Sequence, residues 1–128
     1  MDGILPLNKD RGMTSHDAVF KCRKIFKTRK VGHSGTLDPN VDGVLPICVG
    51  RATKAVNYLM ASGKVYKGEI ILGFATETED LDGAVVAKKA IKRPFSQEQI
   101  NQAMAQLTGE IIQIPPMYSA VKVNGKRL

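Results

Sequence analysis

From Gly32 to Lys54 the chain reads GHSGTLDPNVDGVLPICVGRATK, and this string constrains the fold more than any other. Its apolar stretch, residues 43–49, has the length and composition of a buried strand, and RATKAVNYLMA predicts a helix over 51–61. Ahead of the strand lies a loop with glycines at 32 and 35, which can take backbone angles closed to other residues. Pro39 fixes its own φ and pushes Asp38 toward an extended conformation. His33 and Thr36 add polar groups nearby. A rigid loop that presents one carboxylate is how a fold displays a nucleophile. An Asp-Pro pair between glycines is also, and more commonly, a plain turn in which the Asp bonds its own backbone.

The flanking sequence predicts the remaining elements. Residues 3–7 (GILPL) read as a short strand. Thr14 or Ser15 can cap a helix running to about Phe26, with Val19, Cys22 and Phe26 on one face and Lys21, Lys24 and Lys27 on another. Gly63 can close the 51–61 helix. Residues 65–74 (VYKGEIILGF) form a long strand pattern rich in β-branched and aromatic residues, and 84–90 is its expected partner, joined by an acidic loop. Ser96 and Gln99 have the spacing of a capping box, and Phe95 and Ile100 that of a hydrophobic staple, so 96–107 is a helix ended by Thr108-Gly109. EIIQI, 110–114, reads as a strand stopped by Pro115 and Pro116. Asn124-Gly125 is a favoured hairpin turn. Only three residues follow it, which predicts that the return strand is missing and that the chain is part of a longer protein. No linker-like change of composition marks an internal boundary.

Composition bears on partners. The formal net charge is +7, and the charges are segregated. Residues 21–33 hold six bases and no acid, while 69–82 hold five acids and no base. A basic face of this kind suits phosphates. Cys22 and Cys48 lack metal or redox spacing and are expected to be reduced and packed. No segment resembles a signal peptide and no apolar run approaches membrane length, so a cytoplasmic protein is expected. His33, Asp38 and Asp42 could be read as a metal set for a phosphodiesterase, but the spacing lacks HxH or HExxH character. TETEDLDG lacks the EF-hand spacing and its closing glutamate, and reads as a solvated loop. Tyr66 alternates with apolar residues, as a core aromatic would. Its place between Lys64 and Lys67 also suits base stacking. Arg51 and Lys54 could meet phosphate at a helix N-terminus, or be simply solvated.

Four segments in order resemble the TruB family of tRNA pseudouridine synthases: LNKDRGMTSHDAV (Leu7–Val19), GHSGTLDP, KVYKGEIILGFATETEDLDG (Lys64–Gly83) and IPPMYSAVKVNGKRL (Ile114–Leu128). In the first, Asp10 stands where the family usually has proline. The resemblance covers the whole chain and implies an α+β fold, a mixed, mostly antiparallel sheet with flanking helices, incomplete here. Residues 1–128 would be the N-terminal portion of the catalytic domain, with the RNA-covering thumb beginning near 114. The acidic loop favours the bacterial stand-alone type over guide-RNA-dependent relatives.

The resemblance further implies the reaction and its residues. A uridine in the T-arm of tRNA (position 55) is flipped out and isomerised to pseudouridine, with Asp38 as nucleophile. His33 helps hold the RNA with its target base flipped out, Tyr66 stacks on the flipped uracil, and Lys9 supports the loop. Gly35, Thr36, Lys21 and Lys24 are the other expected RNA-contacting positions. No cofactor, metal or obligate protein partner is implied. The arginine that in the family keeps the carboxylate ionised would lie beyond Leu128, so the isolated chain is expected to be inactive or nearly so. The rival readings are a non-catalytic RNA-binding module, the guide-RNA-dependent relative, and the metal phosphodiesterase.

Overall fold

The structure, a computed structural model, describes residues 1–115, 122–124 and 126–127. Its organising element is strand β3, Gly43–Val49, which matches the expected strand. β3 lies between β1 (Gly3–Lys9) and β2 (Val31–His33) and pairs antiparallel with both. Along β3 the side chains of Leu45, Ile47 and Val49 share one face by the two-residue period. They form the core with Ala18, Val19 and Cys22 of helix α1 (Ser15–Ile25) and with Val31. Each aliphatic side chain buried in this way contributes about 1.5–3 kcal/mol. Cys48 is also fully buried, on the opposite face beside its register partner Gly32. There a methyl of Val56 lies 3.5 Å from the position a Gly32 Cβ would take, so the segment after β3 covers this second face. Both cysteines are free and buried, and burial pushes both thiols up, away from thiolate chemistry.

α1 begins as a capping box. The Thr14 hydroxyl accepts from the Asp17 N–H and the Asp17 carboxylate accepts from the Thr14 N–H. β2 was not expected. Its three residues are too short to show a period, and they become a strand because β3 offers them a free edge.

The helix expected over 51–61 is instead a 3₁₀ helix, Gly50–Ala55, followed by α2, Val56–Met60. The Thr53 hydroxyl donates to the Gly50 carbonyl at 2.8 Å and competes for an acceptor that an α-helix would use. α2 ends at Ala61, where Ser62 N–H donates to the Leu59 carbonyl, so Gly63 does not serve as its cap.

Contacts divide the chain into two units, Met1–Tyr66 and Lys67–Leu128, although no composition change marks the division. The long strand expected over 65–74 is replaced by a strand of three residues, β4 (Phe74–Thr76), paired antiparallel with β5 (Val85–Lys88). Residues 64–72 carry no regular structure, and Val65, Ile70, Ile71 and Leu72 are exposed. Strand preference is expressed only where a neighbour completes the ladder. The same reason accounts for 110–114, which is not a strand.

Helix α3, Gln97–Gln106, has the expected box between Ser96 and Gln99. The terminal hairpin forms, with β6 (Lys122–Val123) antiparallel to β7 (Lys126–Arg127) and Asn124 at φ 52°. The return strand is therefore present, two residues long, contrary to the expectation. Pro116 to Val121, Gly125 and Leu128, which include most of the expected thumb, lie outside the described residues. The architecture is α+β, and every described strand pairing is antiparallel.

Candidate active site

Asp38 sits on the connection between β2 and β3, exposed to solvent. Asp38-Pro39 forms a turn, closed by the backbone rather than by the Asp side chain. The Val41 N–H donates to the Asp38 carbonyl at 3.0 Å, closing a turn with Pro39 at its second position. That turn is held from outside. Gly12 N–H donates to the Pro39 carbonyl at 2.7 Å, and Ser34 N–H to the Pro46 carbonyl at 3.1 Å. Ser15, buried at the first turn of α1, makes both possible bonds to Leu37: its hydroxyl accepts from the Leu37 N–H (2.9 Å) and donates to the Leu37 carbonyl (3.1 Å). The residues before and after the carboxylate are thus fixed while its side chain stays exposed to solvent.

Lys9 explains the Gly12 tether. It is the last residue of β1 and 0 % exposed, and its ammonium donates to the carbonyls of Asp10 (2.9 Å) and Met13 (2.8 Å). These bonds shape the 10–13 turn so that Gly12, at φ 89°, presents its N–H to Pro39. The departure at Asp10 is harmless to this arrangement, because the acceptor at that position is backbone. Arg11 pairs with Asp42 at 3.6 Å across the same two loops.

His33 ends β2, half-buried, and its Nδ1 bonds the Gly35 carbonyl. A carbonyl can only accept, so Nδ1 carries the proton and Nε2 is left free to meet another group. Gly35 has φ 75°, a conformation that needs glycine, whereas Gly32 is ordinary strand. The Lys64 ammonium lies over Gly35, 3.4 Å from where a Cβ would be. Thr36 is exposed on the same loop. Lys21 and Lys24 are exposed on α1, but Lys27 lies past its end rather than on the helical face. Tyr66 is 68 % exposed, outside any strand, and makes no hydrogen bond, ion pair or ring contact among the described residues, so it is not a core aromatic.

The structure bears on two further readings of the sequence. Arg51 is exposed and paired with Asp2: its Nε and its N–H donate to the two oxygens of Asp2, each at 2.7 Å. Asp2 is the anion at this N-terminus, and the backbone and guanidinium bonds from Arg51 hold its carboxyl below the usual range. Gly50, at φ 64°, leaves room for it, since a Cβ there would overlap the Asp2 carboxylate. His33, Asp38 and Asp42 do not assemble as ligands; no group of three acid, His or Cys side chains able to hold a metal occurs among the described residues. In the acidic loop, Asp80 accepts from the Thr78 hydroxyl (2.6 Å) and the Asp82 N–H (2.9 Å), so its carboxylate is occupied by its own turn.

The contacts that Ser15, Gly12 and Lys64 make at this loop escaped the sequence reading, in which Ser15 is an alternative cap and Lys64 a flank of Tyr66. Ser15 follows a residue that makes a better cap, and that displacement from the cap was the available signal.

Comparison with known proteins places this loop in context. Residues 23–128 match the sequence family described as TruB family pseudouridylate synthase (N terminal domain). Over all 128 residues the chain is 73% identical to tRNA pseudouridine synthase B of Ligilactobacillus salivarius and 69% identical to the protein of the same name from Pediococcus pentosaceus. It spans 42% and 43% of the length of these relatives. Among solved structures it resembles a chain of a Cbf5–Nop10–Gar1 complex, with TM-score 0.61 and 32% identity over 94% of this chain and 31% of that one. It also resembles a chain of an H/ACA RNP bound to a substrate RNA containing 2′-deoxyuridine, with TM-score 0.62 and 32% identity over 97% and 35%. A clamped, exposed Asp-Pro turn, an incomplete antiparallel α+β fold and this family match agree: the chain belongs to the TruB family of pseudouridylate synthases.

Proposed function

We propose that residues 1–128 are the N-terminal portion of the catalytic domain of a tRNA pseudouridine synthase, with the thumb beginning near 114. The whole protein isomerises a uridine in the T-arm of tRNA (position 55), in the cytoplasm and without cofactor, metal or obligate protein partner. The observation that carries this reading is the Asp38 turn, whose backbone is tethered on both sides while its carboxylate is left open. The reaction breaks the C1′–N1 bond of the uridine, rotates the uracil, and joins C1′ to C5. The C5 proton leaves and N1 gains one, so atoms and electrons balance. Such a reaction needs a fixed nucleophile more than it needs a driving force, and a carboxylate that does not move is preorganised for it. The target base must leave the helical stack first. His33, with Nε2 free, and exposed Tyr66 suit an RNA-facing role and a stacking role. Gly35 and Thr36 form the loop wall, Lys9 is a positioning residue acting through Gly12, and Lys21 and Lys24 face phosphates.

Relatives at 73% and 69% identity bear the name tRNA pseudouridine synthase B, whereas the chains in the two RNP-type structures stand at 32%, which supports a stand-alone enzyme over a guide-dependent one. The test uses the protein extended to the length of its relatives, a T-arm stem-loop without guide RNA, and EDTA. Pseudouridine formation under these conditions separates this reading from an RNA-binding module and from a metal phosphodiesterase. Asp38→Asn should abolish turnover, by at least about 10³-fold, while the RNA still binds; near-normal yield would rule Asp38 out. The 128-residue chain alone should be inactive or nearly so, and robust turnover by it would show that no later residue is needed.

A further inference from the structure

The C-terminal end of α1 carries a cleft that the Asp38 loop does not use. It has a volume of about 690 Å³ and is lined by Phe20, Arg23, Lys24, Lys27, Thr28 and Arg29, four cations and no acid. A solvated basic helix end would account for part of this, since Arg23 and Lys24 occupy the last turn, where cations complement the helix dipole. Three observations go beyond that account. The Arg23 Nε is buried and has no hydrogen-bond partner among the described residues, although a merely solvated arginine would keep this donor wet. Lys27 sits at φ 52°, and the Thr28 N–H reaches back to the Arg23 carbonyl at 3.2 Å, so α1 closes with a left-handed residue at the position glycine favours. A lysine there is a strained choice that helix closure does not require. Finally, Arg29 stands beyond the helix, outside the reach of the dipole argument, yet lines the same cleft.

We propose that this cleft docks phosphates of an RNA backbone, separately from the nucleophile loop. Arg23 and Arg29 offer planar donor forks that match phosphate oxygens, and Lys27 adds a mobile point charge. Lys24 is held 4.6 Å from the Phe20 ring centroid, at the edge of the cleft. A polyanion fits better than a small free anion, because the cations are spread over the helix end and the segment after it. Exposed Lys21 and Lys30 continue the positive strip on both sides. The segment then runs directly into β2 and His33, so phosphates docked here would belong to the RNA whose base is presented to the loop. The proposal rests on the RNA-modifying reading above for the identity of that RNA, but not on the reaction itself.

The experiment measures binding of a T-arm stem-loop to the protein at its relatives' length, as a function of salt. Replacing Arg23 and Arg29 by Gln and Lys27 by Gly together should make the log K against log salt slope shallower by about 2–3, at roughly 0.9 for each phosphate no longer neutralised. Lys27→Gly alone controls for folding: it should keep or raise the melting temperature, because glycine relieves the left-handed strain, while still flattening the slope by about 1. An unchanged slope in the triple variant overturns the proposal. So does saturable binding of inorganic phosphate that the triple variant abolishes without any change in RNA slope, which would make the cleft a free-anion site. Pseudouridine yield from the unsubstituted protein is read in parallel. If the slopes change as stated but no pseudouridine forms, the cleft stands and the proposed reaction falls.

Discussion

The two units of this chain are held by different means. Met1–Tyr66 contains every buried apolar residue among those whose burial is described, and the Leu45, Ile47 and Val49 face of its β3 is closed by α1. None of residues 67–115 is buried, and Phe74, Val86, Ile100, Met104 and Ile112 are exposed. Yet the second unit still forms a capped helix and two antiparallel ladders. What remains there is what local chemistry can specify: a capping box, an Asn at positive φ in a tight turn, and an acidic loop closed around Asp80. The comparison separates elements written into a few neighbouring residues from elements that exist only because a core assembled around them. A ten-residue helix is marginal by itself, so local signals define where α3 begins while adding little to its stability.

The comparison breaks most directly on buried aliphatic groups. Ile47, 0 % exposed at the centre of β3, should cost about 2–5 kcal/mol when replaced by Ala. Ile112, 97 % exposed, should change stability by no more than about 0.5 kcal/mol on the same replacement. Urea unfolding of the 128-residue chain followed by circular dichroism gives both values. Equal costs would mean that the second unit buries its apolar side chains and that the contrast is false.

How much could be read from the sequence follows the same division. The apolar run of residues 43–49 was legible to the residue, because a run of that length has few alternatives. Both capping positions of α3 were legible because a box spans four residues. The Asp38 turn was legible as a turn and as a candidate nucleophile site. Its tethers were not, since Ser15 meets Leu37 across 22 residues and Arg51 meets Asp2 across 49, distances at which no periodicity speaks. β2 was invisible because its three residues take their state from β3. The 65–74 strand was over-read for the complementary reason: its residues prefer a sheet, but no described ladder completes one.

Ser15→Ala sharpens the comparison at the site itself. It leaves the half-buried Leu37 backbone groups without their partner, which should cost about 1–3 kcal/mol. Thr78→Ala removes a shorter side-chain bond in the second unit, but an exposed one, and should stay within about 0.5 kcal/mol. In the protein at its relatives' length, Ser15→Ala should also lower kcat more than RNA affinity, because it loosens the loop that carries Asp38 while leaving the phosphate-facing cations in place. A change confined to affinity would place Ser15 on the RNA rather than under the loop.

The smallest effect concerns acid. Asp17 in the first unit is held below the ordinary value of 3.8, chiefly by the Thr14 backbone N–H and then by the Thr14 hydroxyl. Asp80 in the second is held below 3.8 too, first by the Thr78 hydroxyl and then by the Asp82 N–H. A carboxylate with a depressed folded value binds fewer protons when folded than when unfolded. Its contribution is therefore complete above 3.8 and is lost as pH falls through the folded value. The two units should lose it differently. Protonating Asp17 weakens the start of α1, a core helix, so it should lower the melting temperature of the whole first unit. Asp17→Asn should correspondingly flatten the decline of melting temperature below pH 3.8. Protonating Asp80 opens a turn with no core behind it, so the Asp82 amide should lose its hydrogen-exchange protection with no shift of the global transition. A global shift from Asp80→Asn would show that the acidic loop is coupled to cooperative structure, and would remove the last ground for treating the second unit as locally specified.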